Sequence, residues 1–280
     1  MPSTPICRST ACSPNRARPA VTLIVGIKCR DGIVLAADSA ATLGNVGERT
    51  IRQNSATKLT IVGGSAIIGT AGSVGLGQRF AHDLETHVNG NLRSQHPTVA
   101  MTSLSDSFHK HIGKEVERAR PFMSIIGNGA ATGGLMSQSL VAIGTSGGPS
   151  LFQFDHQASP EAATDQLPFV AIGSGQSIAD PFLAFIRRIF WANDAPSLSE
   201  GIFAAVWTIE HAIQTHPGGV DGQVQVAIHE GVGKGSSAKM LANSDVEETH
   251  QAIAAAETTL RGFRNLISER NEPTDPIPMP

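Results

Sequence analysis

The sequence predicts an α+β fold: a four-layer sandwich in which two stacked antiparallel sheets are covered on both outer faces by paired helices. Three observations lead there. The chain opens its ordered part with two short β-branched runs joined by an Asp-Gly turn. Further strand-like runs then alternate with helical segments that come in pairs. Finally, 280 residues at 40% hydrophobic and 16% charged suit a single large core.

The elements are read in order. The apolar run from Leu23 to Cys29, the turn Arg30-Asp31-Gly32 and the run from Ile33 to Ser39 form a β-hairpin. Lys58–Val62 and Ser65–Gly72 follow as strands. A helix runs from about Val74 to Leu92, and His96-Pro97 breaks it. Thr102 or Ser103 caps a second helix, with Asp106 near its first turn, ending at Arg118. Strands near Ser139–Ile143 and Leu151–Asp155 flank a Gly-Gly-Pro turn. Phe169–Gly173 is another strand, Ile178–Trp191 and Leu198–Thr215 are helices, and Gln223–His229 alternates as a strand. The stretch at 231–236 reads as a flexible connection. An Ala- and Glu-rich amphipathic helix covers Asp245–Arg270, followed by a Pro-rich tail from Pro273. The division is 1–21 as leader, 22–270 as one domain and 271–280 as flexible tail.

Composition narrows the function classes. Lys plus Arg number 21 against 24 Asp plus Glu, a net charge of −3, so nucleic acid is not the expected partner. No apolar run approaches the ~20 residues of a membrane span. Cys7, Cys12 and Cys29 fit neither a disulfide framework nor a zinc pattern, and a reducing cytoplasm is the default. His109 and His111 are two apart on a helix and face different ways, so they share no ion; no catalytic metal is expected.

The chemistry lies near the start. Thr22 heads the first strand. Asp38 sits deep in the second, among alanines, where a carboxylate is costly unless a cation meets it. Lys58 precedes the next strand. If the chain begins at Thr22, the site holds a hydroxyl, a free α-amine, a lysine and an aspartate: a threonine nucleophile whose own N-terminus acts as base. An α-amine titrates at about 7.7–8.0 and accepts a proton near neutral pH.

From Thr22 to Thr42 the chain resembles the start of a mature proteasome β subunit. So do Lys58-Leu-Thr-Ile, Ile68-Gly-Thr-Ala-Gly72, Gly147–Asp155 and Phe169-Val-Ala-Ile-Gly-Ser174-Gly175, in that order, and the likeness extends to about His229. The resemblance implies the N-terminal-nucleophile hydrolase fold. It makes Thr22 the nucleophile, Lys58 the cation that lowers the hydroxyl pKa, Asp38 its partner and Gly72 N–H the oxyanion donor. Ser174 joins the hydrogen-bonded set around the amine. Thr42 supplies backbone groups to an extended substrate. Ala41, Ala56, Thr70 and Val74 lie near the pocket before the cut, a modest apolar preference. No cofactor is implied. The implied partners are unfolded polypeptides, copies of the chain in stacked rings, and an ATP-driven unfoldase.

The sequence departs from that pattern in several places. Val21 stands where a small residue, typically glycine, precedes the nucleophile. Leu23 and Ile24 replace frequent threonines, and Ala40 a usual arginine. Aligned on Gly218-Gly219, Gln214 and Pro217 occupy the places of the Asp and Ser that support the amine; either Asp221 substitutes, or the amine is held less firmly. Residues 1–21 have no apolar core of a secretory signal. They read as a self-cleaved propeptide or as a mis-assigned start, a GTG codon at Val21; the second is favoured, because the leader has no fold pattern.

Two other classes stay open. One is a catalytically inactive structural subunit of such a ring. The other is a serine hydrolase using Ser146 of Gly144-Thr-Ser-Gly-Gly148, a motif that needs a strand-to-helix turn where here a second strand follows. Gly231–Ser236 lacks the spacing of a phosphate loop.

Overall fold

The computed structural model describes residues 22–43, 51–53, 55–126, 136–191, 194–215 and 220–269. The strands are β1 (Ile24–Lys28), β2 (Gly32–Ala37), β3 (Ala41–Leu43), β4 (Ile51–Gln53), β5 (Leu59–Val62), β6 (Ala66–Gly72), β7 (Ser137–Thr145), β8 (Gly148–Phe154), β9 (Pro160–Ala162), β10 (Phe169–Ile172), β11 (Gln225–Glu230) and β12 (Ser237–Met240). The helices are α1 (Val74–Asn89), α2 (Pro97–Ile126), α3 (Gln176–Phe190), α4 (Leu198–Thr215) and α5 (Asn243–Glu269).

Two five-stranded antiparallel sheets carry the fold. The first runs β10-β1-β2-β11-β12 and the second β5-β6-β7-β8-β9; β3 and β4 form a separate ribbon. The two sheets meet through the inner faces of their strands. Ile24, Ile33, Leu35 and Ala227 from the first pack with Leu59, Ile67, Leu140 and Leu151 from the second. The alternate residues face outward under helices. Val25, Ile27 and Val34 meet Leu183, Ile186 and Trp207 of α3 and α4. Ile68, Val141 and Phe152 meet Phe80 and Leu84 of α1 and Leu104 and Phe108 of α2. Strand residues buried on both faces explain why these runs are apolar throughout rather than alternating. This is the predicted four-layer arrangement.

Two local readings change. α2 begins at Pro97 rather than after it. Proline is preorganised for the first helical turn, where its missing N–H breaks no bond. Thr102 and Ser103 therefore lie inside α2 and donate to the carbonyls of Thr98 and Val99 four residues back. The stretch after β11 holds a 3₁₀ turn, Gly233–Gly235, and then β12, which pairs with β11. As expected, Ser146 lies in the turn between antiparallel β7 and β8, and its hydroxyl donates to Gln95 O at 2.9 Å.

Candidate active site

The site forms where the C-terminal end of β2 and the entrance to β1 meet the edge of the second sheet. Asp38 follows β2 directly and is fully buried. Each of its oxygens is occupied. Oδ1 accepts from Leu23 N at 2.9 Å and from Lys58 Nζ at 2.6 Å; Oδ2 accepts from Ala40 N at 3.2 Å and Asp221 N at 3.4 Å. Three backbone N–H groups and one ammonium hold this charge in an apolar wall. The Lys58 side chain is only 8% exposed. Burial pushes its amine below the ordinary lysine range, and Asp38 offsets part of that shift.

Thr22 lies two residues before β1 and is followed by Leu23, whose N–H binds Asp38. Its own N–H donates to Ser174 Oγ at 3.2 Å, and its carbonyl accepts from Gly175 N at 3.3 Å. The Gly173-Ser174-Gly175 turn comes close enough to do this because its glycines lack side chains. Gly173 has φ +94°, and a Cβ there would stand 2.2 Å from Thr22 O and 3.5 Å from Ala71 Cβ; at Gly175 it would stand 2.9 Å from Leu23 Cβ. The turn thus wraps Thr22.

Gly72 ends β6 next to Ala71, with φ +112° and Met136 O 2.0 Å from where a Cβ would be. Ser73 then caps α1 through its hydroxyl. Thr70, two residues earlier on β6, lies beside Gly77 and within 3.4 Å of Ser139 Oγ; Val74, the first residue of α1, is exposed. Ala41 and Thr42 lie in β3, where Thr42 is opposite Arg52 of β4. Ala56 N donates to Ser39 O at 2.9 Å, which ties the approach to Lys58 to the residue after Asp38.

The structure therefore brings these residues together: Thr22 bonds Ser174, its neighbour Leu23 bonds Asp38, and Asp38 holds Lys58, with Gly72 alongside. Gln214 is different. It is exposed near the end of α4, lining a crevice with Glu210, Val246 and His250. Pro217 and Gly218-Gly219 lie outside the described residues, as do Val21 and the leader. Asp221 gives its backbone N–H to Asp38, and its Oδ1 accepts from Gly222 N at 2.7 Å.

Two residues here escaped sequence reasoning. Gln138 of β7 accepts from Gly173 N at 3.2 Å and so anchors the glycine turn to the second sheet. Gln225 of β11 bonds both Ala56 and Lys58. Neither stands out in sequence, since each binds the backbone of a distant segment. His109 and His111 reach different partners, Gln157 O and Asp83. Among the described residues no three His, Cys, Asp or Glu side chains converge as metal ligands. None of the described helices is long and apolar enough to cross a membrane.

Comparison with known proteins bears on this geometry. Proteasome subunit beta 2 of Nitrosopumilus maritimus (strain SCM1) is 30% identical over 162 residues, 56% of this chain and 64% of that protein, so the likeness spans less than two thirds of its length. A solved structure, an Anbu (Gly-1) mutant from Hyphomicrobium sp. strain MC1, superposes with a TM-score of 0.60. It covers 88% of this chain and 99% of that one at 18% identity, a likeness of fold. The model of the proteasome subunit family matches residues 21–215, well over half of the sequence. The chain belongs to the proteasome subunit family.

Proposed function

We propose that this proteasome-family subunit is a threonine-type endopeptidase acting through Thr22 once residues 1–21 no longer precede it. The observation that carries the reading is the buried Asp38–Lys58 pair, whose carboxylate also holds the N–H of the residue after Thr22. Its support is twofold: an apolar wall is a costly place for an ion pair with only a structural role, and the family match begins at residue 21, beside Thr22.

In this mechanism the α-amine of Thr22 takes the proton of Oγ as Oγ attacks a peptide carbonyl. Lys58, held by Asp38, places positive charge near the developing alkoxide. Gly72 N–H donates to the tetrahedral oxyanion. The amine then returns its proton to the leaving nitrogen, an ester to Thr22 remains, and water hydrolyses it. Ser174 Oγ, which accepts from the Thr22 peptide N–H, receives the amine in the same place. Ala41, Ala56, Thr70 and Val74 border the pocket for the residue before the cut, and Thr42 aligns the substrate backbone. The bond cleavage needs no cofactor. Copies of the chain stack as rings in the cytoplasm and admit unfolded polypeptides, delivered by an ATP-driven unfoldase.

The deciding experiment reads the first residue of the natively expressed protein by mass spectrometry and maps the adducts of a threonine-directed epoxyketone and a serine-directed fluorophosphonate. A chain starting at Thr22 and labelled there supports the peptidase. A particle that cleaves peptides with residues 1–21 attached overturns it. Labelling at Ser146 overturns it in favour of a serine hydrolase. A ring starting at Thr22 that takes up neither reagent is a structural subunit.

A further inference from the structure

We infer that Gln225 is the positioning residue that sets the place of Lys58, an inference that rests on the peptidase reading for its catalytic consequence. Gln225 opens β11 and lies opposite Ala37, the residue before Asp38. Its side-chain amide crosses to the segment that leads into β5. Nε2 donates to Ala56 O at 2.6 Å, and Oε1 accepts from Lys58 N at 3.1 Å.

A primary amide used this way acts as a detached peptide group. It offers one donor and one acceptor to two residues spaced as on a strand, and continues the first sheet onto a segment that belongs to no strand. Ala56 N adds a third bond, to Ser39 O two residues beyond the end of β2. Lys58 is thereby tied at both ends: its backbone to Gln225 and its Nζ to Asp38, the residue after Gln225's strand partner Ala37. A lysine side chain has wide rotamer freedom, so fixing only its tip leaves the backbone free to drift. Fixing both ends confines the ammonium to the buried position where Asp38 meets it. Small misplacements of a catalytic group cost up to about a hundredfold in rate.

Among the twenty side chains, few meet both needs at this length. Methionine keeps the volume and loses both bonds. Glutamate keeps the acceptor for Lys58 N but turns its other oxygen on the Ala56 carbonyl, until protonation restores a donor. Alanine is a poor probe, since Gln225 also lines a small cavity with Ser39, Ser55 and Met240, and shortening it enlarges that space.

The test compares wild type, Gln225→Met and Gln225→Glu in the processed particle. It reads kcat and KM on a fluorogenic peptide across pH 5–9, amide hydrogen exchange at Lys58, and the melting temperature. The expected result for Q225M is a kcat lowered about tenfold or more, Lys58 N–H exchange accelerated at least as much, and melting shifted by a few degrees only. The ratio of Q225E to wild-type kcat rises as pH falls, while that of Q225M stays flat. A normal exchange rate at Lys58 in Q225M overturns the inference, as does faster exchange with unchanged kcat. If the wild-type particle cleaves no peptide, the peptidase reading fails on its own. Competitive labelling of Lys58 Nζ then decides: a changed reactivity in Q225M upholds the positioning, and an unchanged one overturns it.

Discussion

Gly173 presses so closely on Thr22 that a single added methyl would stand 2.2 Å from the Thr22 carbonyl oxygen. The contact joins the end of β10 to the approach into β1, and no other residue type combines that closeness with a φ of +94°.

Gly173→Ala is therefore expected to be severe. Backbone strain alone costs about 1–3 kcal/mol, and displacement of Thr22 adds to it. Gly64→Ala is the control: φ is +62° there, with nothing within 4 Å of the new Cβ, so only the left-handed penalty of about 1–2 kcal/mol applies. Urea midpoints of the two variants check the difference. Only Gly173→Ala should also abolish epoxyketone labelling at Thr22.

Removing one member of the Asp38–Lys58 pair leaves a buried charge alone. Asp38→Ala is expected to destabilise by about 3–5 kcal/mol. Part of this is the orphaning of the Leu23 and Ala40 N–H groups. Asp38→Ala with Lys58→Met should cost clearly less than the sum of the two single changes, because the double variant buries no ion. A double-mutant cycle from denaturant unfolding measures the coupling.

His229 predicts an acid limb in stability. It is fully buried in β11, where neither ring nitrogen meets a hydrogen-bond partner with good geometry among the described residues. Burial pushes its pKa down from 6.5 to about 4, although main-chain groups at His229 and Ser65 offset part of the cost. The neutral form is the one that folds. Stability is thus complete above pH 6.5, falls as the unfolded chain takes up a proton, and levels off below about pH 4. The loss is at most roughly 3 kcal/mol. His229→Leu should flatten this limb, read as urea midpoints between pH 7 and 4.

The α1–α2 seam shows the opposite regime. Arg79 pairs with Glu115, which Arg118 also contacts at 2.7 Å, and all three side chains reach solvent. The hydrogen bond from Arg79 is the main force holding the Glu115 carboxyl below its usual range. Its stabilisation is present at neutral pH and is lost as pH falls through that lowered value. Arg79→Ala should cost no more than about 1 kcal/mol at low ionic strength, and less in 0.5 M salt.

What the sequence made legible follows from locality. The β1–β2 hairpin carries its own turn, α4 its own periodicity, and Asp38 and Lys58 announce each other as opposite charges in apolar surroundings. The helical start at Pro97 was hidden because proline reads as a break unless one knows that the helix lies ahead of it. β9 and β12 are short edge strands whose pairing is imposed by the sheet, not by their residues. Gln138 and Gln225 stayed silent for a different reason. Their partners are backbone groups 35 and at least 167 residues away, and a backbone leaves no mark in sequence.

Thr22 and Asp38 flank the ends of β1 and β2 in the first sheet, Gly72 belongs to the second, and Lys58 to the passage into it. A chain in which only one sheet has formed therefore holds some of these groups and never all four. The docking of two layers thus completes the candidate site, and in the proposed mechanism the loss of residues 1–21 remains a separate step before Thr22 can act.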